Sequence, residues 1–150
     1  MILISACLAG ENVRYDGGNR GNTTLKNLVD KGIARTICPE ILAGLSIPRA
    51  AAEIVGGDGH DVLHQKAKII DLHGNDVTED YVRGAKIALN ICKALNCRTL
   101  ILKSDSPTCG LNTIYSGAFD GTKKSGDGVF TALLKVNGIE VYDETYYELT

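Results

Sequence analysis

The chain reads as an α/β protein, a single-domain Rossmann-like three-layer sandwich built on a mostly parallel sheet. Short apolar runs alternate with stretches whose apolar residues recur at helical spacing. The order strand, helix, strand occurs near the N-terminus and again toward the C-terminus, the pattern of parallel strands with helices on both faces. At 150 residues the chain matches one domain. It is long enough to bury roughly two-thirds of the surface of its unfolded form, so the core needs no disulfide.

Met1 to Ala6 is an apolar run ending in small residues, a buried first strand that enters a loop. Leu8 to Asn22 carries Gly10, Gly17, Gly18 and Gly21, too many turn formers for a helix or strand. Thr23 or Thr24 then caps a helix marked by Leu25, Leu28 and Val29 and stopped at Gly32. Ile33 to Cys38 is the second strand. Pro39 to Gly59 mixes Pro and Gly with short apolar patches, so loops with at most one helical turn are expected. Asp61–His64 and Lys68–Leu72 read as two short strands, the second turning through His73-Gly74-Asn75-Asp76.

The clearest helix runs from a capping Thr78 to about Leu95, with Tyr81, Ala85, Ala88, Leu89, Cys92 and Leu95 as its apolar stripe. Arg98 to Lys103 is a strand centred on Leu100, Ile101 and Leu102. Ser104 to Gly126 is a long loop rich in Gly, Ser and Thr, and such length inside a domain points to function. Gly128 to Val136 closes the helices, and Ile139 to Tyr142 the strands.

The net charge is −2 and the 16 basic residues are scattered, so no stripe exists to neutralise the phosphates of duplex nucleic acid. A small uncharged or weakly charged ligand fits better. No stretch approaches the ~20 apolar residues of a membrane span, and Ile2-Leu3-Ile4-Ser5 follows Met1 without a basic export segment. A cytoplasmic location is expected, and there five cysteines are thiols rather than disulfides. Oligomeric state is not written in the sequence.

Cys7, Cys38 and Cys109 each fall at or just past the carboxyl end of a predicted strand, before a loop containing Gly or Pro. Ligands of open α/β sheets bind beyond those ends, so three cysteines far apart in sequence can converge there. Three thiolates are soft ligands suited to iron-sulfur clusters, zinc or Cu(I), and are one short of a closed four-coordinate structural site. Cys92, on the helix stripe, and Cys97, at a strand entry, read instead as small core residues. Gly56-Gly57-Asp58-Gly59 lacks the Lys-Ser/Thr of a phosphate loop.

Ser5-Ala6-Cys7-Leu8, Arg14-Tyr15-Asp16-Gly17, Cys38-Pro39-Glu40, Gly44-Leu45 and Pro48-Arg49 follow one another in the N-terminal half. Lys103, Ser106-Pro107-Thr108-Cys109-Gly110, Ile114-Tyr115-Ser116-Gly117-Ala118-Phe119 and Gly126-Asp127-Gly128-Val129 complete the series. In order and interval these motifs resemble the family catalogued as a domain of unknown function and typified by thiouracil desulfidase. The resemblance spans nearly the whole chain. It implies a [4Fe-4S] cluster on Cys7, Cys38 and Cys109, with one iron free of protein ligands, and non-redox desulfurisation of a thiolated nucleobase or nucleoside. Two positions depart from the family: Ala50-Ala51-Ala52 stands where a second Pro is usual, and Thr108 where Ser is usual.

On that reading water attacks the thiocarbonyl carbon and sulfide leaves, with Glu40 as the first candidate for acid-base work. Ser104, Asp105 and Ser106 would orient it, although loop capping explains them equally well. Arg14, Tyr15 and Asp16 would line the substrate pocket, Tyr15 stacking on a planar ring, and Lys103 would bring positive charge. Two other readings stand beside this one: a zinc hydrolase with a three-cysteine site, and a cluster or sulfur-carrier module without turnover.

Overall fold

A computed structural model describes residues 1–145. In chain order its elements are β1 (Ile2–Ser5), a 3-10 turn (Ala6–Ala9), α1 (Thr23–Asp30), β2 (Ala34–Ile37), α2 (Pro39–Leu42), β3 (Ala52–Val55) and α3 (Gly59–Leu63). They continue as β4 (Lys68–Asp71), α4 (Thr78–Ala94), β5 (Thr99–Leu102), β6 (Thr113–Tyr115), β7 (Lys123–Ser125), α5 (Val129–Val136) and β8 (Glu140–Asp143).

Four strands form a parallel sheet in the order β2-β1-β5-β8, with Ile4 opposite Thr36 on one side and Ile101 on the other. Alternation along the strands divides their side chains between two cores. Leu3, Leu100 and Leu102 join Ala85, Ala88 and Cys92 of α4 and Phe130 and Leu134 of α5. Ile4 and Ile101 join Leu25 of α1 on the opposite face. Helices thus cover both faces, as the sequence predicts. Because β2 and β5 flank β1 on opposite sides, the connections diverge there, which opens a crevice at the carboxyl ends of β1 and β5.

Two smaller antiparallel ribbons, β3 with β4 and β6 with β7, stand outside this sheet. The second arises within the stretch expected as loop from Ser104 to Gly126. The expected strand at Asp61–His64 is helix α3: Asp58 accepts from the backbone N–H of His60 (3.0 Å) and Asp61 (3.3 Å), while Asp61 accepts from that of Asp58 (2.9 Å). This reciprocal cap outweighs the strand-forming pattern of so short a run. Asn22, not Thr23 or Thr24, caps α1 by accepting from Leu25 (3.1 Å). Thr78 does not cap α4; its hydroxyl accepts from Ile69 of β4 (2.9 Å), and Asp76 accepts from the Thr78 N–H (3.0 Å).

Gly84 fixes where α2 lies. A β-carbon at this position of α4 would collide with the carbonyl oxygen of Pro39, so only glycine lets the two helices approach this closely. The residues flanking Pro39 are Cys38 and Glu40, which lends this contact weight at the site.

Candidate metal centre and active site

Cys7 lies in the 3-10 turn after β1, Cys38 immediately precedes α2, and Cys109 sits in the loop beyond β5. All three line one cavity of about 220 Å³, and all are free thiols. Cys7 and Cys109 are 8% and 7% exposed, and Cys38 is half-buried. Cys92 and Cys97 lie away from this cavity in the core, as expected, and burial pushes the Cys92 thiol up to about 12.

Each thiol is held by its own backbone setting. The Cys7 carbonyl accepts from the N–H of Arg20 (2.9 Å), which folds the first glycine-rich loop back over β1. Cys38 receives backbone hydrogen bonds from Ile41 and Glu40 at the start of α2. The Cys109 N–H donates to the Ser106 hydroxyl (2.7 Å), and its carbonyl accepts from the buried Thr131 hydroxyl (3.0 Å). The Phe130 N–H of α5 donates to the Thr108 carbonyl (2.9 Å). The Ser5 hydroxyl bonds to the Cys109 thiol and accepts from the Lys103 N–H (2.9 Å), which links two strand ends at the crevice.

Burial pushes Cys7 up to about 11, the neighbouring Cys38 adds to the rise, and Lys103 and Arg14 act against it. Cys38 is also raised by burial, and Cys109 is raised well above the usual thiol range by burial, Glu40, Cys38 and Cys7. The thiols therefore sense one another electrostatically. Three of them, buried together without a disulfide, become stable thiolates when a soft cationic centre shares the cavity. Among the described residues, no three His, Cys, Asp or Glu side chains close around one point as a single ion demands. A cluster offers a separate iron to each thiolate, and the donor set fits it.

Beside the thiols runs a polar network. Glu40 Oε1 accepts from the Thr108 hydroxyl (2.9 Å), and Glu40 Oε2 pairs with Nη2 of Arg49. The Arg49 side chain, 8% exposed, also donates to the carbonyls of Val13 and Ser46 (3.2 Å each), and its N–H donates to the Tyr15 carbonyl (2.7 Å). Tyr81 shares a hydrogen bond with Arg49, and burial pushes its hydroxyl well above the usual range. One guanidinium thus joins Glu40 to the loop bearing Arg14 and Tyr15.

Arg14, Tyr15, Lys103, Ser104 and Ser106 reach the cavity wall with Glu40. The Arg14 guanidinium lies 5.6 Å from the centre of the Tyr15 ring, and its Nη1 is buried without a hydrogen-bond partner. Tyr15 is 41% exposed at the mouth. Lys103 Nζ donates to the Ser104 carbonyl and hydroxyl (3.1 Å each), and Glu144 accepts from the Ser104 N–H (2.9 Å). Two expected residues are not on the wall. Asp16 accepts from the Gly18 N–H (2.8 Å) in an exposed turn, and Asp105 pairs with Lys123 (3.0 Å).

Arg49, Thr108, Tyr81, Ser5 and Glu53 belong to the cavity or its support, yet none stands among the expected site residues. Arg49 and Thr108 lie inside motifs of the family pattern, which is the signal that marks them. Tyr81 looks like one more apolar position of a helix stripe, and Glu53 lies in a segment expected as loop.

Fold and site together define an α/β protein with three free thiols lining one cavity at the switch point of its parallel sheet, a donor set of the kind that soft metals take. The chain belongs to the 2-thiouracil desulfurase family, whose profile matches residues 2–146. It is 47% identical over 144 residues to the uncharacterized protein YbbK of Bacillus subtilis (strain 168), covering 96% of this chain and 95% of that one. It also shares its fold with a solved structure described as the [4Fe-4S]-dependent thiouracil desulfidase TudS. That match has a TM-score of 0.86 and 40% identity, and covers 99% of this chain and 93% of the other.

Proposed function

We propose that this chain is a thiouracil desulfidase-type enzyme that hydrolyses the C–S bond of a small thiolated nucleobase or nucleoside: thiocarbonyl plus water gives carbonyl plus hydrogen sulfide. Its cofactor is a [4Fe-4S] cluster held by Cys7, Cys38 and Cys109. The observation that carries this reading is the meeting of three thiols from three strand ends in one cavity, without a fourth cysteine on its wall. The likeness to a [4Fe-4S]-dependent thiouracil desulfidase supports it. Among the described residues no helix is long and apolar enough to cross a membrane.

A cluster held by Cys7, Cys38 and Cys109 would supply a soft Lewis acid suited to thiocarbonyl sulfur. The protein supplies the rest. Glu40, fixed through one oxygen by Thr108 and through the other by Arg49, takes the proton of the attacking water. Ser106 holds the Cys109 loop in place, and Ser104 ties Lys103 to the rim. Arg14, whose Nη1 lies 3.8 Å from Asp16 without a hydrogen bond, presents a donor to an oxygen or nitrogen acceptor on the ring, and Tyr15 offers a face for stacking. Lys103 and Arg14 favour negative charge in the cavity, where sulfide forms.

Anaerobic reconstitution with iron and sulfide, followed by incubation with 2-thiouracil and 4-thiouracil, tests the reaction. Sulfide and uracil are expected in equal amounts. A protein that shows the thiolate-to-iron charge-transfer absorption yet releases no sulfide from any thiobase would not be a desulfidase. A carrier module would behave in that way.

A further inference from the structure

Glu53 is an acidic side chain on the cavity wall that the chemistry above leaves unused. Ala52 and Ile54, on either side of it in β3, point into the core, so the strand's alternation turns Glu53 to the opposite face, where it lines the cavity. It is only 9% exposed. Its Oε1 accepts from the backbone N–H of Gly117 (2.8 Å) and Phe119 (3.3 Å) in the turn joining β6 and β7. Its Oε2 has no hydrogen bond among the described residues. Neighbouring cations are engaged elsewhere: Lys124 with the Ile54 carbonyl (3.0 Å), Lys123 with Asp105, Lys103 with Ser104 and Arg49 with Glu40.

Oε2 keeps contact with the solvent of the open cavity, and once a ring fills that cavity the oxygen is costly to leave without a donor. Bracing the hairpin needs only one oxygen. The other stands at a fixed place on the wall, an acceptor that lacks its donor. A thiolated pyrimidine carries the complementary group, a ring N–H beside the thiocarbonyl carbon, and that N–H persists in the carbonyl product.

We propose that Oε2 of Glu53 is the acceptor for this ring N–H and sets a preference for substrates that carry it. The proposal rests on the desulfidase reading for its substrate class. Glu53→Gln tests it, because the amide carbonyl still serves Gly117 and Phe119 while an NH₂ donor replaces Oε2.

For 4-thiouracil, kcat/KM is expected to fall roughly 10- to 100-fold in Glu53→Gln, and uracil affinity by calorimetry in the same proportion, the range of one hydrogen bond to a charged group. Wild-type protein is expected to favour 4-thiouracil over its N3-methyl derivative, and the variant to lose much of that preference. Iron content and thermal midpoint should stay put. If uracil affinity and the N-methyl preference both survive in a folded variant, Glu53 merely pins the hairpin. Should the variant not fold, equal turnover of the two thiobases by wild-type protein overturns the proposal. Absence of sulfide release from every thiobase sinks the desulfidase reading instead, and the calorimetry still reads Glu53: uracil binding weakened by the variant upholds it, and no binding by wild-type protein overturns it.

Discussion

Thr108 donates its hydroxyl hydrogen to Oε1 of Glu40 over 2.9 Å, joining the loop that carries Cys109 to the helical turn that follows Cys38. With Arg49 on the other oxygen, both acceptor atoms of Glu40 are fixed by residues that are not metal ligands. The carboxylate can therefore be altered without removing a thiol.

Glu40→Gln is expected to lower sulfide release by roughly 10²- to 10⁴-fold, the usual contribution of a positioned general base. Iron content and visible absorption should remain at wild-type levels. Thr108→Ser keeps the hydroxyl and should keep activity; Thr108→Val should lose about tenfold. Steady-state sulfide assays on reconstituted protein check all three.

Substituting Cys7, Cys38 or Cys109 by Ser should abolish tight iron binding, measured as iron per chain after gel filtration. Cys92→Ala should bind iron normally and lose stability instead. Cys92 is fully buried in the α4 packing, and the cavity left there costs on the order of 1–3 kcal/mol.

Arg49→Ala leaves the largely buried Glu40 carboxylate without its cation and frees the loop that carries Arg14 and Tyr15. A loss of about 3 kcal/mol in urea unfolding is expected. Arg49→Lys should recover part of the stability but little of the activity, because one ammonium cannot reach Glu40, Val13 and Ser46 together.

Asp127 links α3, α5 and the loop after Cys109: it pairs with His60 (2.9 Å) and Lys135 (3.0 Å) and accepts from the Asn112 N–H (2.8 Å). Burial pushes its carboxyl up, but these donors outweigh burial and hold it below the usual carboxylate range. A folded-state value below the unfolded one means stabilisation that is complete above the unfolded value of about 4 and lost as pH falls through the folded one. Asp127→Asn should therefore be less stable than wild type at neutral pH. The gap should close progressively in urea titrations below about pH 4.

Gly84→Ala forces a β-carbon against the Pro39 carbonyl and must push α2 off α4. A loss of about 1–3 kcal/mol is expected. Because Cys38 and Glu40 flank Pro39, iron retention and sulfide release should fall together, as circular dichroism and iron assays on one sample would reveal.

The parallel sheet and its three long helices were legible because their apolar periods run long enough to stand out. The three thiols followed, since each lies past the carboxyl end of a strand that the sequence marks. Shorter elements were hidden. Helix α3 depends on an exchange of hydrogen bonds between Asp58 and Asp61, and the run of glycines around Asp58 looks like loop. The ribbon of β6 and β7 has strands of three residues, too brief for a period to emerge. Asp16 and Asp105 looked like site residues by their neighbours, yet backbone direction turns each outward to a partner of its own. Glu53 reaches the cavity wall for the converse reason: between two core residues, it points away from their core, on a strand that pairs outside the main sheet.

The strand order places β1 between β2 and β5, and the three cysteines proposed as ligands follow these three strands in the chain. A nascent or unfolded chain thus offers iron only isolated thiols, and a common seat exists once the sheet has closed. Construction runs in one direction, scaffold before inorganic core. On the proposed ligand set, a protein stripped of iron should keep its circular dichroism and take up fresh metal and sulfide without a refolding step.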